Sequence, residues 1–211
     1  MRNKAGIFCI VTGVLLMLGA LGLHYFNMQE DAQAQTAVRQ IIPQLIEEIQ
    51  ENTELETDSA EEDFSQLQIP PALLTEEDKA MTEVEIDGYF YIGYISIPTQ
   101  ELDLPIMSSW SYPQLSISPC RYSGSVRGDD MVVMGHNYIS HFGKLSNLQP
   151  GDVVRFTDMD GVVTEYEVVG KDLLPAAAVE EMTSGDFDLT LFTCNYSGNS
   201  RVTIYCNRTV N

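Results

Sequence analysis

Basic side chains are scarce in this sequence of 211 residues. Eleven lysines and arginines stand against 31 acidic side chains, which gives a formal net charge of −20. Proteins that bind nucleic acid need a basic surface to neutralise phosphates, so this composition argues against that class. Residues 29–85 hold 16 of the acidic side chains and only two of the basic ones, which indicates a solvated stalk rather than a charged domain.

Charged residues are absent from residues 5–23, an apolar run of 19 residues. As a helix this run would be about 28 Å long, close to the hydrocarbon thickness of a bilayer. Arg2 and Lys4 precede it. The positive-inside rule therefore predicts a cytoplasmic N-terminus, with the rest of the chain outside a cell membrane that it crosses once.

An uncleaved anchor over residues 5–26 is one interpretation of this run, and a cleaved signal peptide is the other. Residues 32–34 read Ala-Gln-Ala, which resembles a small-residue cleavage site. That site lies nine residues beyond the apolar run, and the run is long for a signal sequence. We therefore favour the anchor.

Cysteine and histidine are also few, with four and three residues respectively. Cys9 lies in the apolar run, which leaves an odd number outside and predicts a free thiol or a bond to another chain. Because His24 is close to the membrane, His136 and His141 are the candidates for an acid–base partner of a cysteine. The remaining cysteines are Cys120, Cys194 and Cys206.

The pattern of the chain predicts four parts. These are a cytoplasmic tail (1–4), a transmembrane helix (5–26), a helical and acidic stalk with a linker (27–85), and a β-rich domain (86–211). Residues 29–52 have helical periodicity, which Pro43 is expected to kink or split, and residues 53–83 have the composition of a linker. From residue 89 onwards, short β-like runs such as "YIGYISIP" predict a mostly antiparallel barrel or sandwich.

The last two β-like runs place a cysteine beside an arginine. In "LFTCNYSGNSRVTIYCNR" (191–208), Cys194 and Arg201 flank the predicted turn 195–200 and are expected to face each other on one side of a hairpin. Cys206 falls on the other side, which has the pattern of a core. A cation beside a cysteine favours the thiolate, and a guanidinium can also stabilise an oxyanion.

A cysteine that forms an acyl-enzyme needs a proton donor for the leaving amine. His136 directly follows the apolar strand of "VVMGHNY", at a position where a sheet presents side chains to a groove. His141 lies in the following turn, where we expect it to cap the turn or face solvent.

These motifs, in this order, resemble the sortases, the cysteine transpeptidases of Gram-positive cell surfaces. "MVVMGHNY", "FGKLSNLQPGDVVRF" and "LTLFTCNYSGNSRVTIYCNR" carry the resemblance, which covers residues 89–210. It implies a mostly β, sortase-type barrel of about eight strands, mostly antiparallel, with short helices, preceded by a single transmembrane helix and a stalk. His136, Cys194 and Arg201 match the family's catalytic histidine, cysteine and arginine.

The resemblance also implies a reaction. Cys194 would attack a Leu-Pro-X-Thr-Gly-like or Asn-Pro-X-Thr-like sorting signal of a secreted protein and form a thioester. An amine of a peptidoglycan precursor (lipid II-like), or a lysine of a pilin, would then accept the acyl group. Some members of the family bind calcium beside the loop before the cysteine strand. In this chain that loop contains Glu180, Glu181, Asp186 and Asp188, but acidic loops are usually only solvated, so no cofactor or metal is predicted.

The subclass is less clear from the sequence. Pilus-building sortases typically have a lid before the barrel with an Asp-Pro-aromatic sequence. This chain has Asp63-Phe64 at the similar position, without the proline. Sortases for haem-uptake proteins typically insert a long helix before the cysteine strand, and residues 175–186 allow only a short one. A housekeeping or sporulation-type sortase (class A or D) is therefore favoured over class C or B.

Several alternatives remain open at this point. Arg208 is a second arginine on the last strand, but its position predicts the opposite face and the far end. A cysteine peptidase that only hydrolyses is another possibility, although papain-like enzymes have the reverse order of cysteine and histidine. A membrane-tethered binding module without enzymatic activity would keep its function without Cys194.

Overall fold

The computed structural model describes residues 2–59, 80–184, 186–195 and 198–209. Most of the linker predicted over 53–83 lies outside these residues, as do Tyr196 and Ser197 of the predicted turn. Two 3₁₀ turns, Pro98–Gln100 and Leu145–Asn147, accompany three α-helices in the described part: α1 (Arg2–Ser59), α2 (Tyr112–Leu115) and α3 (Val179–Met182).

A nine-stranded sheet is the main element of the described residues. Its strands are β1 (Val84–Ile86), β2 (Tyr89–Ile97), β3 (Leu102–Met107), β4 (Cys120–Ser123), β5 (Met131–Gly135), β6 (Val153–Asp158), β7 (Val163–Pro175), β8 (Leu189–Cys194) and β9 (Ser200–Arg208). Their order is β1-β2-β3-β4-β5-β8-β9-β7-β6, and pairing of β2 with β6 closes the last eight strands into a barrel. This confirms the predicted barrel.

Most neighbouring strands are antiparallel, as predicted, but β3–β4 and β5–β8 are parallel pairs. Alternation along the strands sends one set of apolar side chains into the barrel, where the core cluster includes Ile95, Phe156, Leu191 and Ile204. A turn at Asp160-Gly161 joins β6 to β7, and Gly161 supplies the positive φ of 78° that such a turn favours.

The first helix, α1, runs from the apolar N-terminal segment into contact with the barrel without a break. An 18-residue window of its N-terminal part has a mean hydropathy of 2.4 and is not covered by the rest of the protein. It is long and apolar enough to cross a membrane, which fits the predicted single-pass anchor.

The second half of α1 packs on the barrel, although sequence analysis placed it in the stalk. Five side chains at helical spacing are buried there: Ala34, Val38, Ile41, Leu45 and Ile49. Ile41, Leu45 and Ile49 join a second core cluster that includes Tyr91, Met107 and Cys120, whereas Val38 belongs to the main cluster of the barrel. The helix continues through Pro43, so of the expected kink or split the split is wrong. Side chains buried on both sides of the proline, such as Ile41 and Leu45, favour the helix against a proline cost of about 3 kcal/mol.

These contacts predict that α1 contributes to the stability of the barrel. Leu45 is fully buried, so Leu45→Ala should lower the free energy of unfolding by about 2–4 kcal/mol. The neighbouring Ile46 is 37% exposed, and Ile46→Ala should cost less than about 1 kcal/mol. Urea unfolding of the full chain in detergent micelles can be followed by fluorescence of Trp110, the only tryptophan. Equal effects of the two substitutions would contradict the packed helix.

Candidate active site

The strand β8 lies between β5 and β9, and this arrangement brings together the residues that sequence analysis selected. β5 runs parallel to β8 and pairs Gly135 with Thr193, so His136 and Cys194 follow at the same level of the sheet. β9 runs antiparallel to β8 and pairs Cys194 directly with Arg201, as predicted. Facing Cα atoms in an antiparallel pair are about 4.5–5.5 Å apart, so Cys194 and Arg201 are neighbours, and His136 follows the adjacent strand at the same end of the sheet.

Cys194 is the accessible thiol of the barrel. It is half-buried, whereas Cys120 and Cys206 are fully buried, and none of the four cysteines forms a disulfide within the chain. Burial raises the pKa of Cys120 and Cys206 to about 12, so these thiols stay protonated and unreactive near neutral pH. Cys206 belongs to the core, as its face of the hairpin predicted.

His136 is held by a turn that folds back over the end of β5. The Phe142 backbone N–H donates to the His136 carbonyl oxygen at 3.1 Å. A Cβ at Gly135 would lie 2.8 Å from the Phe142 ring, so only glycine leaves room for this close approach. Burial lowers the pKa of His136, and the negative charge of Glu30 acts in the opposite direction.

The prediction that His141 caps the turn or faces solvent is wrong. Its side chain is fully buried, because the turn after His136 folds inward and carries His141 with it. Burial, with a further contribution from neighbouring His136, lowers the pKa of His141 to about 4. His141 is therefore neutral at physiological pH, and its ring centroid lies 5.4 Å from that of Tyr138.

The two arginines of β9 lie at opposite ends of the strand. Arg201 Nη1 donates to the carbonyl oxygens of Gly198 (3.1 Å) and Ser200 (3.4 Å), which holds the guanidinium beside the hairpin turn. At the far end, Arg208 Nη2 donates to the Val126 carbonyl and forms an ion pair with Asp129 at 2.7 Å. Arg208 therefore has a structural role away from Cys194.

The residues that α1 brings to the loop 136–142, here called the histidine loop, were not predicted from the sequence. Glu30 accepts a hydrogen bond from the Tyr138 hydroxyl at 3.4 Å, and Asp31 accepts one from the Ser140 N–H at 2.9 Å. Glu30 and Asp31 are the first charged residues after the apolar run. In the sequence this position indicates only membrane topology and no contact with the loop. The described residues include no group of three or more His, Cys, Asp or Glu side chains placed to hold a metal ion.

Comparison with known proteins identifies a family. A sortase-domain family model matches residues 95–209, which is more than half of the chain. No curated protein matches the sequence significantly.

Three solved structures illustrate the structural similarity. A Streptococcus pneumoniae sortase C matches with a TM-score of 0.55 and 19% identity, over 82% of this chain and 96% of that one. A Clostridium perfringens sortase C, solved with the C-terminal cell wall sorting motif, gives 0.52 and 23% over 82% and 91%. Sortase A from Corynebacterium diphtheriae gives 0.53 and 16% over 90% and 96%. At these identities the likeness concerns the fold and does not choose a subclass.

The difference in burial among the cysteines predicts selective alkylation. In the folded chain at pH 7.5, iodoacetamide should modify Cys194 at least about 100-fold faster than Cys120 or Cys206, whose thiols are buried and protonated. Peptide mapping by mass spectrometry over a time course measures the three rates. Comparable rates in the folded protein would contradict the assignment of Cys194 as the accessible thiol.

The buried His141 predicts a pH dependence of stability. Its folded pKa of about 4 lies below the unfolded value of 6.5, so the unfolded chain binds the proton more tightly between these two values. His141 should therefore cost the folded state up to about 3 kcal/mol as the pH falls from 6.5 to 4.

Urea unfolding at pH 7, 5 and 4 tests this dependence by comparing wild type with His141→Gln. The glutamine variant should lose less stability than wild type between pH 7 and 4, whatever its stability at pH 7. An unchanged dependence in His141→Gln would rule out a buried neutral His141.

Proposed function

Because this chain belongs to the sortase family of cysteine transpeptidases, we propose that it cleaves a C-terminal sorting signal of secreted proteins and transfers the acyl group to an amine. The observation that carries this proposal is the pairing of Cys194 with Arg201 on β9, beside the strand that ends at His136. This arrangement supplies a nucleophile, a cation and an acid–base group at one place.

In the first half of the proposed reaction, the Cys194 thiolate attacks the carbonyl carbon of the scissile peptide bond. Arg201 stabilises the negative charge that develops on the carbonyl oxygen. The C–N bond then breaks, the His136 imidazolium gives its proton to the leaving amine, and a thioester remains on Cys194.

In the second half, an incoming amine attacks the thioester carbon. Neutral His136 takes a proton from this amine, the C–S bond breaks, and the Cys194 thiolate is restored. If water takes the place of the amine, the same steps give hydrolysis, so access of the acceptor decides between the two products.

The outer face of the sheet offers an apolar surface for the substrate. Phe192 and Met134 precede Cys194 and His136 by two residues and therefore lie on the same faces of their strands. They belong to an apolar cluster outside the main core, in which Phe192, Val132 and Met182 are buried. Its exposed part comes from the half-buried Met134, Tyr122 and Leu174. A surface of this kind suits the leucine and proline of a Leu-Pro-X-Thr-Gly-like signal.

The position of α1 supports an acceptor at the membrane surface. Asp31 contacts Ser140 in the histidine loop, and it lies five residues beyond the predicted end of the membrane segment at residue 26. Five helical residues span about 7.5 Å, so the histidine end of the barrel is close to the bilayer. We propose a lipid II-like peptidoglycan precursor as the amine donor, with the N-terminus in the cytoplasm and the barrel outside.

The full chain in detergent micelles, incubated with sorting-signal peptides and triglycine, tests this function. Intact-mass spectrometry should show a thioester adduct on Cys194 and a triglycine-capped product. Cys194→Ala should give neither, and Arg201→Gln should lower the transfer rate by about 100-fold or more. Arg208→Gln makes the same type of substitution at the other end of β9, and its transfer rate should stay within about threefold of wild type.

Three results would change the assignment. Transfer by Cys194→Ala would exclude the cysteine mechanism, and cleavage without a capped product would indicate a peptidase. A wild-type chain that binds the peptides but neither forms an adduct nor cleaves them would favour a binding module. Separately, His136→Ala should lower the rate more than His141→Ala, and the reverse order would show that His136 is not the acid–base group.

A further inference from the structure

The helix that carries the membrane segment also reaches the candidate acid–base residue through a short chain of contacts. Glu30 Oε2 on α1 accepts a hydrogen bond from the Tyr138 hydroxyl at 3.4 Å. The Tyr138 ring lies against His136, with ring centroids 4.8 Å apart and planes inclined by 33°. A side chain from outside the sheet is thereby connected to His136.

Asp31, the next residue of α1, fixes the position of the loop itself. Its Oδ1 accepts hydrogen bonds from the Ser140 N–H at 2.9 Å and from the Ser140 hydroxyl at 2.5 Å. Ser140 is buried, so both bonds are shielded from competing water. Asp31 therefore holds the loop on the helix and leaves Glu30 next to Tyr138.

The surroundings of His136 create a conflict for the proposed mechanism. The histidine must be protonated to release the leaving amine, yet burial lowers its pKa and so favours the neutral form. A negative charge that acts on His136 from another direction would offset this effect of burial.

On the basis of the proposed role of His136, we propose that Glu30 is a positioning residue of the active site: through Tyr138, its carboxylate holds and stabilises the imidazolium form of His136. The transmembrane helix thus supplies part of the catalytic machinery as well as the anchor. A fragment that begins after the linker has the three candidate catalytic residues but lacks this carboxylate.

Other titratable groups around His136 have different effects. The Asp31 carboxylate accepts hydrogen bonds from Ser140. Tyr138 is a neutral phenol because its pKa is raised, and His141 is neutral because its pKa is lowered to about 4. Among the residues that the structure describes, the charged or titratable groups on the elements around His136 are Glu30 and Asp31 on α1, Tyr138 and His141 in the loop, Cys194 on β8 and Arg201 on β9. Glu30 is the carboxylate that opposes the effect of burial.

Histidine NMR on the full chain in detergent micelles tests this proposal directly. The chain has only three histidines, so ¹³C-labelled imidazole carbons give three signals, and loss of one in His136→Gln assigns His136. Glu30→Gln should lower the pKa of His136 by roughly half a unit, a shift typical of one lost neighbouring charge. Glu47→Gln removes the same charge from an exposed position of α1 and should leave this pKa unchanged.

Two further variants separate the charge from the hydrogen bond. Glu30→Asp keeps the carboxylate on a shorter side chain and should restore part of the shift. Tyr138→Phe keeps the ring against His136 but removes the hydroxyl, so it should lower the pKa of His136 by less than Glu30→Gln does. In transpeptidation assays, the limb of the pH–rate profile that reports loss of the His136 proton should move to lower pH with the NMR value.

An unchanged His136 pKa in Glu30→Gln would overturn the proposal, and so would an equal shift in Glu47→Gln, which would indicate a general effect of net charge. The NMR titration does not depend on turnover. A shifted pKa in a protein that forms no thioester would therefore contradict the proposed function and not the coupling. Normal thioester formation with no shift in Glu30→Gln would contradict the coupling alone.

Discussion

The arrangement of the active site depends on the pairing of one strand, β8, with two neighbours of opposite direction. The parallel pair with β5 puts His136 and Cys194 at the same sheet end, and the antiparallel pair with β9 places Arg201 opposite Cys194. Because side chains alternate along strands, a shift of one residue in either pairing would turn a functional side chain to the other face. The buried Leu191 and Ile204, which face each other inside the barrel, oppose such a shift.

The helix α1 extends this arrangement to an N-terminal segment that is long and apolar enough to cross a membrane. A continuous helix transmits position, because its length and direction are set by regular hydrogen bonds, whereas a flexible linker would leave the barrel free to reorient. Burial of Val38, Ile41 and Leu45 on the barrel contributes roughly 1.5–3 kcal/mol for each side chain, before the cost of ordering the helix. Membrane segment, histidine loop and barrel are in this way connected by packing rather than by sequence proximity alone.

The sequence was informative where the interaction is local. Cys194 and Arg201 are joined by a short turn, so their cross-strand pairing could be predicted from turn length and alternation. The proximity of His136 to Cys194 depends on a parallel pair between segments almost 60 residues apart, and only the family resemblance indicated it. The contact of Glu30 with Tyr138 joins residues 108 positions apart, and helical periodicity alone does not show which surface the buried face of α1 covers.

The electrostatics of the candidate site explain why a carboxylate from α1 would assist His136. The proposed reaction needs the imidazolium form of His136, whereas partial burial of this side chain favours the neutral imidazole. The sheet itself has no carboxylate at the nearest positions to stabilise the imidazolium, because the residues two positions before His136 and Cys194 are the apolar Met134 and Phe192. A carboxylate there would disrupt that apolar surface, so a carboxylate on α1 supplies the charge without occupying it.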